Sequence, residues 1–528
     1  MAANPYLDEI ERNLPRLLAL FDSDLTSSSH GLGDRYHWAW GLIDFGNGTF
    51  QGAVHGMARL WRAGQWPYHT TKEHFFARID SLFGAAERLT RKDGSLEEAF
   101  PHEGSYCVTA LVAFDLLCAL DLLDAEVNDE QQQRWRFIVA PMIRYLISAD
   151  ETHALISNHL ATAVAALVRW HKLTGDHAAE CKARAQLGKI LHHQSEEGWF
   201  KEYEGADPGY QTLCTYYLAD VNQLRPDWGL IEPLRRSLQF LWHFAHPDGS
   251  FAGLYGSRST RFYYPAGVLA LANEIPEAAA LSAFMAQSIV KQRVVTLSAM
   301  DEPNLIPMFN AYAWAAAMAR EPTAPEYAVS AAPTLPCQDT QPLRRQLPQA
   351  GLWLDRGSAH YTLINTHKGG VVYHFRRGQP PLIDAGIVVC DARGHYGSSQ
   401  AHEPKNRVDQ HGNLLEITSC ITAMPKQLPG PFQFMLLRGL CLTIFRFSAL
   451  REWVKQLLVK MLITRRQSWA VTNHRAIRLG ARIKITDQTN LPPGYQVVQN
   501  AGAFVPIHMA SQGYWQVQDE RGQEEDRA

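Results

Sequence analysis

A chain of 528 residues with 46% apolar side chains has the material for two or three cores, which excludes wholesale disorder. A formal charge of −3 gives no argument for a nucleic-acid partner. The 8 cysteines are scattered and form no CxxC pair, so neither a zinc knuckle nor a disulfide framework is indicated, and a reducing compartment fits.

The opening run MAANPYLDEIERNLPRLLALF is broken early by acidic residues and does not read as a secretory signal, so a cytoplasmic location is expected. Residues 1–320 then read as helices. Leu111–Leu123, Trp135–Ile147, Leu160–His171, Leu230–Phe244 and Ala266–Ala272 each carry apolar side chains at helical spacing. Turn signals separate them, as at Gly175-Asp176 and Pro247-Asp248-Gly249. Helices this close in sequence stack as antiparallel pairs, and a long series of such hairpins closes into a toroid or incomplete barrel.

Residues 321–350 are proline-rich with little periodicity and read as an extended linker. Over 351–528 the period becomes that of strands. HYTLINTHKGGVVYHFRRGQPPLIDAGIVV alternates, with a hairpin turn at Arg376–Gln379. Leu414–Ile421, Ala470–Val471, Arg482–Asp487 and Tyr495–Val498 are further strand candidates. The expected fold class is therefore α+β and multidomain, a helical toroid followed by an antiparallel β-sandwich.

Two stretches interrupt the sandwich pattern. Phe434–Phe447, FMLLRGLCLTIFRF, is too short to span a bilayer and carries Arg438 and Arg446; it reads as a core strand pair or a surface-seeking segment. The span 449–464 reads as an amphipathic helix, with Leu450, Val454, Leu457, Leu458 and Met461 on one face and Arg451, Lys455 and Lys460 on the other. Packing against the sheet or the toroid is the plainer expectation, contact with a membrane surface or an acidic glycan the sharper one. The tail from Asp519 is polar and reads as a disordered terminus.

Four constellations could carry chemistry. The first is Ser157-Asn158-His159, at the start of the helix LATAVAALVRW. Asn158 there can be an ordinary N-cap, worth about 1 kcal/mol. The same geometry lets an amide and an imidazole grip a carboxylate. The second is Glu197–Leu218, EGWFKEYEGADPGYQTLCTYYL, in which Asp207-Pro208-Gly209 forces a turn and places Tyr210 where a loop meets a helix. A phenol there can enter a cleft, or it can pack with its hydroxyl bonded to a carbonyl. Trp199, Glu202, Tyr203 and Asp207 around it suit a sugar site or a packed loop.

The third comprises His367-Lys368-Gly369-Gly370, Asp384-Ala385-Gly386, and then His395 and His402 in RGHYGSSQAHEPKNRV. A lone strand histidine is ordinarily structural; three among glycines and polar residues strengthen the case for a catalytic base. The fourth is His37-Trp38-Ala39-Trp40 with Asp44 and Asn47, near the related patch Phe100–Gly104 that contains Glu103. These suit subsite walls or helix-pair packing.

With Asn158-His159 at a helix start, the segment GWFKEYEGADPGYQTL, and HKGGVVYHF, PLIDAG and AHEPKNRV in the strand region, the chain resembles the heparinase II/III-like polysaccharide lyases. The resemblance covers the helical half, the join and the first part of the strand region. It implies an (α/α) toroid followed by a β-sandwich, an active site in the cleft between them, and β-elimination on a uronate-containing polysaccharide. It further implies Tyr210 as acid–base residue, His367 or His402 as its partner, and Asn158 and His159 as the groups that neutralise the uronate carboxylate. His37, Trp38, Asp44, Asn47, Glu103, Trp199, Tyr203 and His395 are expected to bind substrate. The chemistry requires no cofactor, and no ligand spacing compels a metal. The alternatives are a uronate C5-epimerase, a toroid glycoside hydrolase using Asp44, Glu103, Glu202 or Asp207, and a glycan-binding relative without activity.

Overall fold

The computed structural model describes residues 4–151, 155–319, 333–424, 430–447, 450–451, 453–454 and 468–498. Its first part is helical: α1 (Pro5–Leu18), α2 (Arg35–Trp38), α3 (Ala53–Arg62), α4 (Lys72–Leu89), α5 (Tyr106–Leu123), α6 (Asp129–Ser148), α7 (Ser157–Thr174), α8 (His177–His192), α9 (Pro208–Leu224), α10 (Ile231–Leu241), α11 (Pro265–Ala270), α12 (Pro276–Val290) and α13 (Glu302–Met318). Every helical stretch read from apolar spacing lies in or overlaps one of these.

The helix α5 shows why the bundle closes. It is apolar on nearly all sides, long enough by composition to cross a membrane, and buried by α3, α6 and α7. A helix that is apolar all round must be enclosed. The α7–α8 hairpin forms at the expected turn: Gly175 takes a left-handed φ of 73° as the cap of α7, and Asp176 caps α8 by accepting from the Ala178 and Ala179 amides. The last helix returns to the first, since α13 packs on both α1 and α3.

The second part holds two antiparallel sheets. One has the order β1 (Leu343–Leu347), β2 (Leu352–Arg356), β3 (His360–Asn365), β4 (Val371–Arg376), β5 (Leu382–Asp384). The other contains β6 (Val388–Cys390), β7 (Tyr396–Ser398), β8 (Arg407–His411), β9 (Leu414–Met424), β10 (Ser468–Arg478), β11 (Lys484–Thr489) and β12 (Gln496–Val497). Its order is β11-β10-β9-β7-β6-β12, with β8 also paired to β9.

The period of two decides which way each side chain of the first sheet goes. Leu352, Leu354, Tyr361, Leu363, Val371, Tyr373 and Phe375 join the core of the helical part. The alternate residues Trp353, Ile364, Val372 and Leu382 meet Leu415, Ile417 and Ile477 of the second sheet. The first sheet is thus buried on both faces, although alternation is what marks its strands in the sequence. Arg475 fastens the two sheets, donating to Asp384 Oδ1 at 2.7 Å, the Gly370 carbonyl at 3.0 Å and both Asp487 oxygens at 2.8 Å.

Several expectations need correction. The strand β1 lies inside the stretch read as a linker; its charged middle residues hid it, and an edge strand needs burial only at its ends. Phe434–Phe447 is not a strand pair. Its first part belongs to α14 (Pro431–Leu442), whose start is set by a proline at the first helical position, and a short 3-10 turn follows. Most of 449–464 lies outside the described residues. Of those described, Leu450 is exposed and Arg451 buried, donating to the Phe445 carbonyl, the reverse of the expected faces. The tail from Asp519 also lies outside the described residues.

A short loop of the helical part, residues 253–260, receives the first sheet. Lys368 Nζ donates to the carbonyls of Leu254 at 2.5 Å and Gly256 at 2.8 Å and to Ser259 Oγ at 2.5 Å. Asn365 Nδ2 donates to the Tyr255 carbonyl at 2.6 Å, and the Leu254 amide to Tyr373 Oη at 3.1 Å. Burial pushes the Lys368 ammonium down to about 7, against the opposing pull of the Asp207 charge. Between that value and the ordinary lysine value near about 10.4, the unfolded chain holds a proton that the folded chain has released, so rising pH favours the fold. Wild type should therefore gain on Lys368→Met by about 1.4 kcal/mol per pH unit from roughly pH 7 to 9, read from urea unfolding. A difference that stays flat with pH would show that the ammonium remains charged in the fold.

Candidate active site at the helix–sheet joint

Three segments of the helical part converge beside that loop. The start of α7 pairs with the chain after Trp199: Ile156 and Glu202 form an antiparallel bridge, and the Ser157 amide and hydroxyl both donate to the Lys201 carbonyl. Residues Glu202–Gly205 then turn tightly, with Tyr203 at a φ of 57° and its amide donating to the Leu155 carbonyl. The helix α9 begins at Pro208, so Tyr210 stands in its first turn, as its sequence setting required. The third segment is the 253–260 loop, which carries Arg258.

Asp207 ties the second and third segments together. Its carboxylate accepts the Tyr210 amide at 3.1 Å, the Arg258 amide at 2.9 Å, the Thr260 amide at 3.4 Å and the Thr260 hydroxyl. The approach is close enough that a Cβ on Gly209 would lie 2.2 Å from Thr260 Oγ1. Arg258 is thereby aimed at the site. Its guanidinium lies 3.9 Å from the centre of the Tyr210 ring and 4.8 Å from that of Tyr203, and its Nη1 donates to Glu202 Oε1 at 2.7 Å.

Asn158 does not cap α7. It lies inside the first turn, where its side chain acts as a donor, giving Nδ2–H to Glu202 Oε2 at 2.8 Å, whereas a cap must accept. Glu202 is therefore gripped on one oxygen by an amide and on the other by a guanidinium. Burial raises its pKa, and the neighbouring Arg258 opposes the rise.

His159 Nδ1 lies 2.8 Å from Glu151 Oε2. Burial works against charge on this imidazole, yet its pKa is held well above the usual histidine value by Cys107 and Glu151. The Cys107 thiol is itself pushed up by burial and stays neutral, so Glu151 supplies the charge that keeps the proton on His159.

The strand part contributes two histidines. The loop that follows His402 is tied back to His367, with the Glu403 amide donating to the His367 carbonyl at 2.7 Å and Asn406 Nδ2 to the Thr366 carbonyl at 3.0 Å. The two rings meet edge to face with centroids 5.4 Å apart. His402 Nε2 lies 2.7 Å from where a Cβ on Gly205 would stand, so this imidazole rests directly on the turn that carries Glu202. His367 Nδ1 is buried with no hydrogen-bond partner among the described residues. Burial lowers the pKa of His367, with Glu403 acting the other way.

Of the residues singled out from the sequence, the fold gathers Asn158, His159, Glu202, Tyr203 and Tyr210 in one place and brings His402, with His367, against them. The others have partners elsewhere. His37 Nδ1 is 2.7 Å from the Ile43 carbonyl, Trp38 donates to the Leu20 carbonyl, and Asn47 caps a short 3-10 turn by accepting from Thr49. Asp44 pairs with Arg438 at 2.9 Å, and Glu103 accepts from the Ala99 amide at 2.7 Å. Trp199 is buried and donates to Glu197, while His395 is exposed beside Asp391. Arg258 escaped the sequence reading. Its one signal was a single cation in the glycine- and hydroxyl-rich run Gly253–Thr260, flanked by aromatic residues.

Asp207→Ala leaves buried amide donors of α9 and the 253–260 loop without an acceptor, each worth about 1–3 kcal/mol. The variant should lower the urea midpoint sharply, by at least about 3 kcal/mol in unfolding free energy, while Asp207→Asn, which keeps an acceptor oxygen, should lose less.

No family model and no curated protein matches the sequence. Solved structures do match. The chondroitin AC lyase of Streptomyces coelicolor A3, in complex with chondroitin sulphate, superposes with a TM-score of 0.52 at 10% identity over 92% of this chain. The present chain spans 66% of that lyase's length. Heparinase III superposes with a TM-score of 0.50 at 10% identity, covering 93% of this chain and 71% of the other. The arrangement of helices and sheets built up above is thus a heparinase-like, polysaccharide-lyase-like fold.

Proposed function

We propose that this protein is a polysaccharide lyase that cleaves a uronate-containing chain by β-elimination, in a cleft between an (α/α) toroid and a β-sandwich. The observation that carries the proposal is the seating of Arg258 on the Tyr210 ring at 3.9 Å, joined through Glu202 to Asn158, with His402 of the strand part resting on the turn that carries Glu202. Proton removal from C5 of a uronate requires the charge of the adjacent carboxylate to be neutralised. Asn158, the protonated His159 and Arg258 are the donors available to do so, acting as an oxyanion clamp. A base then takes the C5 proton, the electron pair forms the C4–C5 double bond, and the C4–O bond breaks, its oxygen taking a proton from a second group.

Tyr210 is assigned the acid–base role, because the Arg258 guanidinium on its ring face holds the phenol beside the donors proposed to bind the carboxylate. His367, kept neutral by burial, or His402 is assigned as the partner. Glu202 serves as the brace that holds Asn158 and Arg258 in position.

Tyr210→Phe should lower kcat by about 100- to 10,000-fold on an acidic polysaccharide while leaving circular dichroism unchanged. The assay is ultraviolet absorbance of the conjugated unsaturated uronate, read across a panel of acidic glycans. Full activity in this variant would refute the role of Tyr210. If His367 is the base, the acid limb of kcat/KM should fall with an apparent pKa below the ordinary histidine value of about 6.5. Glu403→Gln, which removes the charge that opposes the shift, should move that limb lower still. A limb above that value would speak against His367.

One observation favours a second reading. Glu202 is a buried carboxyl with a raised pKa, which is how the general acid of a glycoside hydrolase is prepared. Against it, the nearby carboxylate Asp207 is fully engaged in holding backbone amides. The same assay separates the two, since hydrolysis produces no unsaturated uronate. Deuterium uptake at C5 without cleavage would instead identify an epimerase.

A further inference from the structure

On the far side of the α7–α8 hairpin, three side chains outside the joint converge. His171 ends α7, while His177 and Glu180 stand one turn apart at the start of α8. One ligand atom from each lies within 4.8 Å of the other two.

The three side chains turn ligand atoms toward one another. His171 Nδ1 is 3.0 Å from the Asp176 carbonyl, which can only accept, so Nδ1 carries a proton and, in the neutral ring, Nε2 holds the lone pair. That Nε2 faces Glu180 Oε2 at 3.5 Å, and His177 Nδ1 faces the same oxygen at 3.9 Å. Glu180 cannot turn this oxygen away, because Oε1 is held by Arg184 Nη2 at 3.2 Å and Arg225 Nη1 at 2.9 Å. With the ring neutral, a lone-pair nitrogen faces a carboxylate oxygen, an arrangement that either a second proton on the imidazole or a bound metal cation between the two relieves.

We propose that His171, His177 and Glu180 form a binding site for a divalent transition metal, zinc by ligand type, that staples the α7–α8 hairpin. Zinc takes imidazole nitrogen and carboxylate oxygen at about 2.0–2.2 Å in tetrahedral geometry, which sets its ligand atoms roughly 3.4 Å apart. The His171–Glu180 separation already meets this, and the exposed His177 ring has to turn in from 3.9 Å to join them. The carbonyl behind His171 supplies the outer hydrogen bond that orients a metal-bound imidazole. With three protein ligands, water completes the coordination. The two arginines on Oε1 fix the carboxylate and also weaken its pull on a cation, so the site is an exchangeable one. It is separate from the proposed lyase chemistry.

The test is calorimetric titration of zinc chloride into the full-length, tag-free protein after treatment with a chelator. One equivalent should bind, the thermal midpoint should rise with zinc, and cobalt(II) should give the visible absorption of a tetrahedral site. His177→Asn and Glu180→Gln should each weaken binding about 10- to 100-fold or more and abolish the thermal shift. Cys181→Ser, next to the site in sequence, should bind as wild type does. Absence of saturable binding to the wild type, or undiminished binding by His177→Asn, would overturn the assignment.

Discussion

The site hangs on the carboxylate of Asp207. It is wholly buried, and its two oxygens gather the amides of Tyr210, Arg258 and Thr260 together with a threonine hydroxyl. Hydrogen bonds to a charged acceptor are the stronger kind, about 1.5–3 kcal/mol each. One acidic side chain therefore sets both the first turn of α9, which carries the phenol, and the loop that carries the guanidinium. The 3.9 Å seating of Arg258 on Tyr210 is a consequence of this arrangement, not an independent contact.

A second constraint fixes what the sheets bring to the site. The 253–260 loop is held from the helical side by Asp207 and from the strand side by Lys368, Asn365 and Tyr373. The apolar core does the same on a larger scale, running without a break from the helices into one face of the first sheet. His367 and His402 are thus referenced to the same loop as Tyr210. In such an arrangement the two parts do not drift independently, because separating them would expose apolar surface and break the Lys368 hydrogen bonds together.

The electrostatics of the joint are nearly balanced before any ligand arrives. Arg258 is paired with Glu202, and His159 with Glu151. The acidic sugar proposed as substrate would meet cations whose charge is already shared with internal carboxylates. Its recognition must then come from the direction of donors such as Asn158 and Arg258 more than from a broad positive field. Charged groups paired in advance also hold fixed positions, and preorganised dipoles are what stabilise charge that develops during a reaction.

By itself the sequence determined the broad order, helices first and strands after, and the more strongly patterned elements. Apolar spacing marked helices such as α5, α6 and α7, alternation marked β3, β4 and β9, and Asp207-Pro208-Gly209 placed Tyr210 at a helix start, because these features depend on neighbours along the chain. Tertiary structure decided the rest. The turn of Asn158 from cap to donor, the burial of Arg451, and the strand β1 within an apparent linker each depend on a partner distant in sequence or on an edge. Arg258 is the clearest case. Its own run Gly253–Thr260 offers only a lone cation among glycines and hydroxyls; Asp207, some 51 residues earlier, and Lys368, in the turn between β3 and β4, bring it onto Tyr210, and contacts of that range leave no periodic trace in a sequence.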